Sequence, residues 1–125
     1  MMSMKRVLSI GQCGFDHGQI SALLRREFGA ETVAAATLPQ AERLLEGELP
    51  ALILVNRKLD IDGGDGMEIV RRLCASEKTS GIPVMLVTNY PEYQAEAGTL
   101  GAKPGFGKSE LGRPETLDKL RAYLA

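Results

Sequence analysis

The segment that decides the fold is Ala51-Leu52-Ile53-Leu54-Val55-Asn56. Its five consecutive apolar residues are too few for a helix and are typical of a β-strand that is buried on both faces. In open α/β sheets, ligands and reactive groups lie at the carboxyl ends of the strands. We therefore expect any chemistry at Asn56, which carries an amide where a nucleophile or a metal ligand would need a carboxylate.

The composition around this strand is that of an ordinary globular protein. Of the 125 residues, 44% are apolar and 25% are charged, and we expect residues 1–125 to form a single domain. The net charge of −1 gives no indication of a nucleic acid or membrane partner. Cys13 and Cys74 lack metal-ligand spacing and are expected to be free thiols. Because no early segment is apolar enough for a signal peptide or a membrane span, we expect a cytoplasmic protein.

Short apolar runs alternate with amphipathic segments along the whole chain. The runs predict five strands, at residues 6–10, 31–36, 51–55, 82–87 and 103–107. Helical spacing of apolar residues predicts a helix after each strand. This alternation favours a parallel sheet covered on both faces, with right-handed crossovers. We therefore predict a doubly wound α/β sandwich with a five-stranded parallel sheet.

Local signals predict where the helices begin and which side chains they bury. Asp16 with Gln19 is a candidate cap for the first helix, Gly29 is expected to end that helix, and Thr37 with Gln40 is a candidate cap for the second. The residues predicted to face the core from the first and last helices are Ile20, Leu23, Leu24, Phe28, Leu117, Leu120 and Leu124.

With these elements placed, the chain resembles the receiver (CheY-like) domains of bacterial two-component response regulators. The resemblance extends from Lys5 to Ala125, and it depends on the order and spacing of several landmarks. These are Lys5-Arg6-Val7-Leu8 in the first strand, the segment 51–56 in the third, Ile82-Pro83-Val84 leading to Thr88, and Gly101-Ala102 ahead of Lys108.

The resemblance implies a specific chemistry at the edge of the sheet. Receivers of this family accept a phosphoryl group on an aspartate at the end of the third strand, and two acidic residues after the first strand help to hold Mg²⁺. A Ser or Thr after the fourth strand and a Lys after the fifth contact the phosphoryl oxygens. Carried onto this sequence, the phosphoacceptor position is Asn56 and the acidic pair becomes Gly11 and Gln12, whereas Thr88 and Lys108 match.

The departures from the family pattern imply a pseudo-receiver. An amide is a poor nucleophile and Mg²⁺ prefers carboxylate oxygens, so we expect no phosphorylation at Asn56, no catalytic residue, no metal and no cofactor. The aromatic residue usual three positions before the lysine is replaced by Gly105. Lys108 then lacks its usual partners, and three alternatives remain open. It points into water, it pairs with Asp60 or Asp62, or it binds an anion together with Thr88.

The resemblance also implies the strand order 2-1-3-4-5 for the parallel sheet, and it implies a function. We expect an atypical receiver, not an enzyme, that acts in two-component-type signalling through phosphorylation-independent contact with protein partners, in an oligomeric state that stays open. In related receivers the output face lies on the fourth helix, fifth strand and fifth helix, and aromatic residues suit interface anchors. Those in this region are Tyr90, Tyr93, Phe106 and Tyr123.

Alternative interpretations also come from the residues. A working receiver could accept phosphate at Asp60 or Asp62, and a small nucleotide- or flavin-binding module would share the fold. Residues 102–109 fit a relaxed phosphate-binding loop, but no strand follows. Residues 60–66 resemble a calcium loop with the wrong spacing and are interpreted as a turn. His17, with Cys13 as its only candidate partner, is interpreted as a surface histidine.

Overall fold

Five strands, each followed by a helix, make up the computed structural model, which describes residues 4–125. In chain order the elements are β1 (Arg6–Ile10), α1 (Gly14–Phe28), β2 (Glu31–Ala35), α2 (Leu38–Leu45), β3 (Leu52–Asn56), α3 (Gly66–Ala75), β4 (Val84–Val87), α4 (Pro91–Thr99), β5 (Lys103–Phe106) and α5 (Pro114–Leu124). A short 3₁₀ turn at Lys108–Glu110 connects β5 to α5. Within the described residues, no helix is both long enough and apolar enough to cross a bilayer.

The strands pair in parallel in the order β2-β1-β3-β4-β5, as predicted. Helices cover both faces of this sheet, so the fold is the expected doubly wound sandwich. Successive residues of β3 point to opposite faces. Ile53 and Val55 belong to the core under α2, α3 and α4, and Leu52 and Leu54 belong to the core under α1 and α5. Burial on both faces explains the uninterrupted apolar run of β3.

The ends of the helices follow the predicted signals with one exception. Gly29 ends α1 with a φ of 64°, and Thr37 caps α2 by accepting from the Gln40 N–H at 3.4 Å. The prediction that Asp16 caps α1 is wrong, because the cap is Cys13. Its Sγ accepts from the backbone N–H of Asp16 at 3.4 Å. The Asp16 carboxylate therefore lies inside the first turn of α1 and is free for another contact.

Several further details differ from the sequence prediction, among them one-residue shifts at the ends of β2, β3 and β5 and the position of Phe28, which is only half-buried. The fourth strand starts at Val84 rather than at position 82, because Pro83 has no N–H to donate to a ladder. In α5, Leu120 and Leu124 are buried as expected, but Leu117 is only half-buried. Thr116 is buried instead, and its hydroxyl donates to the carbonyl oxygen of Glu110 at 2.8 Å.

Candidate functional site

Asn56 is the last residue of β3 and lies at the carboxyl edge of the sheet, where the side chain is 9% exposed. Its Nδ2 donates a hydrogen bond to the backbone carbonyl oxygen of Gly11 at 3.0 Å. A carboxylate has no hydrogen to donate at neutral pH. The amide at position 56 therefore makes a contact that an ionised aspartate could not make.

Gly11 follows β1 at the same edge and has a φ of 81°, a backbone conformation that favours glycine. A Cβ at this position would lie 2.2 Å from Cδ2 of Leu59, a residue of the β3–α3 loop that is only 6% exposed. The carbonyl oxygen of Gly11 also accepts from the N–H of Asp60 at 2.9 Å. Leu59 thus occupies the space that any side chain at position 11 would need.

Lys108 contacts Asp16, a residue that the sequence analysis had named only as a candidate cap for α1. Its Nζ lies 2.6 Å from Oδ2 of Asp16, with side chains 36% and 24% exposed. None of the three alternatives for Lys108 included this partner. The hydrogen bond from Lys108 holds the pKa of the Asp16 carboxyl below its usual value, against the smaller opposing effect of burial. Two signals could have revealed the pair, namely a carboxylate four residues after Gln12 and the predicted start of a helix at this edge.

Replacing Asp16 with Asn is expected to lower the free energy of unfolding by up to about 1 kcal/mol at neutral pH, the range for a partly exposed ion pair. Because the folded-state pKa of Asp16 is lowered, the pair contributes above the unfolded-state value, and the contribution is lost as the pH falls through the folded-state value. Urea denaturation of both proteins at neutral and strongly acidic pH measures this. Asp118→Asn, which removes a more exposed pair with Arg121, is the control. An equal deficit at both pH values for Asp16→Asn would contradict the prediction.

Two adjoining depressions of about 440 and 430 Å³ open at this edge, and both are lined by Asn56, Lys58 and Lys108. Thr88 and Tyr93 line the first depression, where the Thr88 hydroxyl oxygen accepts from the N–H of Tyr90 at 3.3 Å. Cys13, Asp16, Leu59, Asp60 and Gly63 complete the second. The described residues contain no group of three or more His, Cys, Asp or Glu side chains that could hold a metal ion.

No protein-family model matches the sequence, and no curated protein matches it. Solved structures do match. The signal receiver domain of a DNA-binding response regulator (merR) from Colwellia psychrerythraea 34H is 22% identical, with a TM-score of 0.75 over 94% of this chain and 98% of that one. A putative response regulator from Chloroflexus aurantiacus J-10-fl is 19% identical, with a TM-score of 0.78 over 98% of each chain. CheY4 of Vibrio cholerae is 21% identical, with a TM-score of 0.73 over 98% of this chain and all of that one.

The chain has the receiver-domain fold. Within this fold the structure brings together four of the five positions named from the resemblance, with Asn56 bonded to Gly11 and with Thr88 and Lys108 lining the same depression as Asn56. Gln12, the fifth, follows Gly11 and is half-buried. Both polar atoms of its carboxamide are shielded from solvent without a hydrogen-bond partner among residues 4–125.

The aromatic residues expected on the output face of the receiver fold do not share one environment. Tyr90 is 59% exposed, and Tyr93 is half-buried with its ring 4.1 Å from the guanidinium carbon of Arg57. Tyr123 is half-buried against the core under α1 and α5. The expectation that Phe106 belongs to this face is wrong, because its side chain is 1% exposed in the same core.

The competing motifs have ordinary roles in the receiver fold. Residues 102–109 form β5 and the start of the 3₁₀ turn rather than a loop that opens a helix, which removes the structural basis for a phosphate-binding loop. In the 60–66 segment, Asp62 accepts from the N–H of Gly64 at 2.8 Å and Asp65 caps α3. Asp62 is therefore engaged in its own turn.

Proposed function

We propose that this chain is a pseudo-receiver that takes part in signal transduction by binding a protein partner, without being phosphorylated. The observation that carries the proposal is the hydrogen bond from Asn56 Nδ2 to the carbonyl oxygen of Gly11. This bond depends on the ability to donate a hydrogen, which an amide has and an ionised carboxylate of the same shape lacks. The amide is thus part of how this edge is held together.

The charge balance of the edge supports the same proposal. In a phosphorylated receiver, a lysine offsets the negative charge of the phosphoryl group. Here the charge of Lys108 is already offset by Asp16, a carboxylate on α1. Leu59 fills the space in which an acidic side chain at position 11 would have to lie. The charge of Lys108 and the space beside Gly11 are therefore both taken up by groups of the protein itself.

The proposed contact surface for the protein partner is the face formed by α4, β5 and α5. Tyr90 precedes α4 and is its most exposed aromatic residue. Its ring meets that of Tyr93 edge-on, with centroids 5.8 Å apart, so the exposed ring is supported by a half-buried one. A supported and exposed tyrosine is the kind of side chain that anchors protein interfaces. Phe106 is excluded from this surface by its burial.

Incubation with acetyl phosphate and Mg²⁺, followed by intact-mass spectrometry, tests the proposal. We expect the mass to remain unchanged, because position 56 offers no carboxylate to attack phosphorus. A phosphorylatable receiver treated in parallel confirms that the donor is active. A gain of one phosphoryl mass would overturn the proposal.

A specific observation favours one alternative, a receiver that accepts a phosphoryl group at Asp60. Asp60 is exposed and lines the second depression together with Lys58 and Lys108, so it could act as a non-standard phosphoacceptor. A phosphoryl gain that is lost in Asp60→Asn would assign the site to Asp60. The equivalent change Asp62→Asn is the control, because that side chain is engaged with the N–H of Gly64.

A further inference from the structure

The side chain of Gln94 on α4 is inserted between two strands of the sheet. Its Nε2 donates to the carbonyl oxygen of Leu86 on β4 at 2.9 Å, and its Oε1 accepts from the N–H of Gly105 on β5 at 3.0 Å. A weaker contact from Nε2 reaches the carbonyl oxygen of Thr88 at 3.4 Å. One carboxamide therefore links a helix to both strands through polar groups that neighbouring strands ordinarily pair with each other.

An irregularity in the sheet makes room for this side chain. The pairing of β4 with β5 passes from Met85 opposite Lys103 to Val87 opposite Phe106, so β5 carries one extra residue. A Cβ at Gly105 would lie 2.2 Å from the Leu86 carbonyl oxygen and 3.0 Å from Oε1 of Gln94. A residue without a side chain is thus required at position 105 for the carboxamide of Gln94 to fit.

The fifth helix is attached to the same residue. Nζ of Lys119 on α5 donates to the carbonyl oxygen of Gly105 at 2.9 Å. The N–H of Gly105 is therefore held by α4, and its carbonyl oxygen is held by α5. All three elements of the proposed contact surface meet at one residue, Gly105.

We propose that Gln94 and Lys119 hold α4, β5 and α5 in a single arrangement, so that the contact surface is formed before any partner binds. This inference rests on the proposed function, since it concerns the same surface. In a water-poor site, a satisfied chain of hydrogen bonds is strong, and an unsatisfied member of it is costly. Moving α4 away from the sheet would leave polar groups of β4 and β5 without partners. The contact surface consequently has one arrangement before and after a partner binds, and it does not change between two conformations.

Gln94→Glu tests this most directly, because the two side chains have nearly the same shape. A carboxylate still accepts from the N–H of Gly105, but it cannot donate to Leu86 and presents an oxygen to that carbonyl. We expect amide hydrogens of α4 to exchange at least roughly tenfold faster, with α1 to α3 unchanged. Gln40→Glu is the matched control, because Oε1 of Gln40 only accepts, from the N–H of Ala36 at 2.9 Å.

Two outcomes of this exchange experiment would overturn the inference. Unchanged exchange in α4 would show that Gln94 does not hold the helix, and equal acceleration in all elements would show a general contribution to stability only. If Gln94→Glu does not fold, amide hydrogen exchange in the Lys119→Met variant provides the test. Selective acceleration in α5 and β5 would support the inference, and unchanged exchange there would overturn it.

The unaltered protein provides a second test. We expect its α4 and β5 amides to show no microsecond-to-millisecond exchange by NMR relaxation dispersion, whereas such exchange would overturn the inference by revealing a second arrangement. Neither measurement uses a phosphoryl donor or a partner. Failure of this inference is therefore distinguishable from failure of the proposed function. The proposed function is tested separately, by the mass of the protein after treatment with acetyl phosphate.

Discussion

Gly11→Asp is expected to lower the free energy of unfolding by about 3 kcal/mol or more, the largest effect of any substitution considered for this protein. The change would place an acidic residue at a position where the receiver domains that this chain resembles have one. However, φ at Gly11 is 81°, and the new Cβ would lie 2.2 Å from Leu59 Cδ2. The variant must both strain its backbone and displace a buried leucine.

Chemical denaturation of the parent and the variant measures this loss. Gly14→Asp is the matched control, because Gly14 begins α1 and nothing lies within 4 Å of a Cβ built there. An acidic residue in the first turn of a helix is favourable, so the control should equal or slightly exceed the parent in stability. A Gly11→Asp protein within about 1 kcal/mol of the parent would contradict the assigned role of Leu59.

Asn56→Asp is expected to lower the free energy of unfolding by about 1–3 kcal/mol at neutral pH, the cost of leaving a buried polar group unpaired. The ionised side chain would lie about 3 Å from the Gly11 carbonyl oxygen with no hydrogen to share, at a position 9% exposed in the parent. The protonated acid can donate again, so the deficit should shrink as the pH is lowered.

Denaturation as a function of pH checks this second prediction, with Asn89→Asp as the control. Oδ1 of Asn89 accepts from the backbone N–H and from the hydroxyl of Ser109, at 3.1 and 3.0 Å. Aspartate can keep both contacts, and the exposed site does not penalise its charge. If the two variants lost stability equally, the donor role of Asn56 would be disproved.

Much of the fold could be predicted because the signals for it are local. The apolar run of β3 shows burial on both faces without reference to any other residue, and Gly29 and Thr37 mark helix ends through their own backbone and side-chain chemistry. The parallel sheet then follows from the alternation of strands and helices, whereas the order of the strands was expected from the resemblance to receiver domains. Asn56 was predicted at the carboxyl edge from its place at the end of β3, and Gly11 and Lys108 were placed there by the resemblance to receiver domains.

The contacts of those positions could not be predicted, because they join parts of the chain that are distant in sequence. Lys108 meets Asp16 across the start of α1, and the identification of Asp16 depended on Cys13 taking the role of helix cap. Phe106 was assigned to the surface because it lies in the region that forms the output face of related receivers, and the extra residue in β5 could not be recognised from the sequence. A shift of one residue in register sends a side chain to the opposite face of a sheet.

The packing of Leu59 over Gly11 has a consequence for anyone who would re-engineer this protein as a phosphorylation switch. Introducing an acidic residue at position 11 is a step that the backbone resists, because Leu59 of the β3–α3 loop already occupies the space beside Gly11. A workable route starts by rebuilding that loop with a smaller residue at position 59. Acidic side chains introduced after that change would have room at this edge of the sheet.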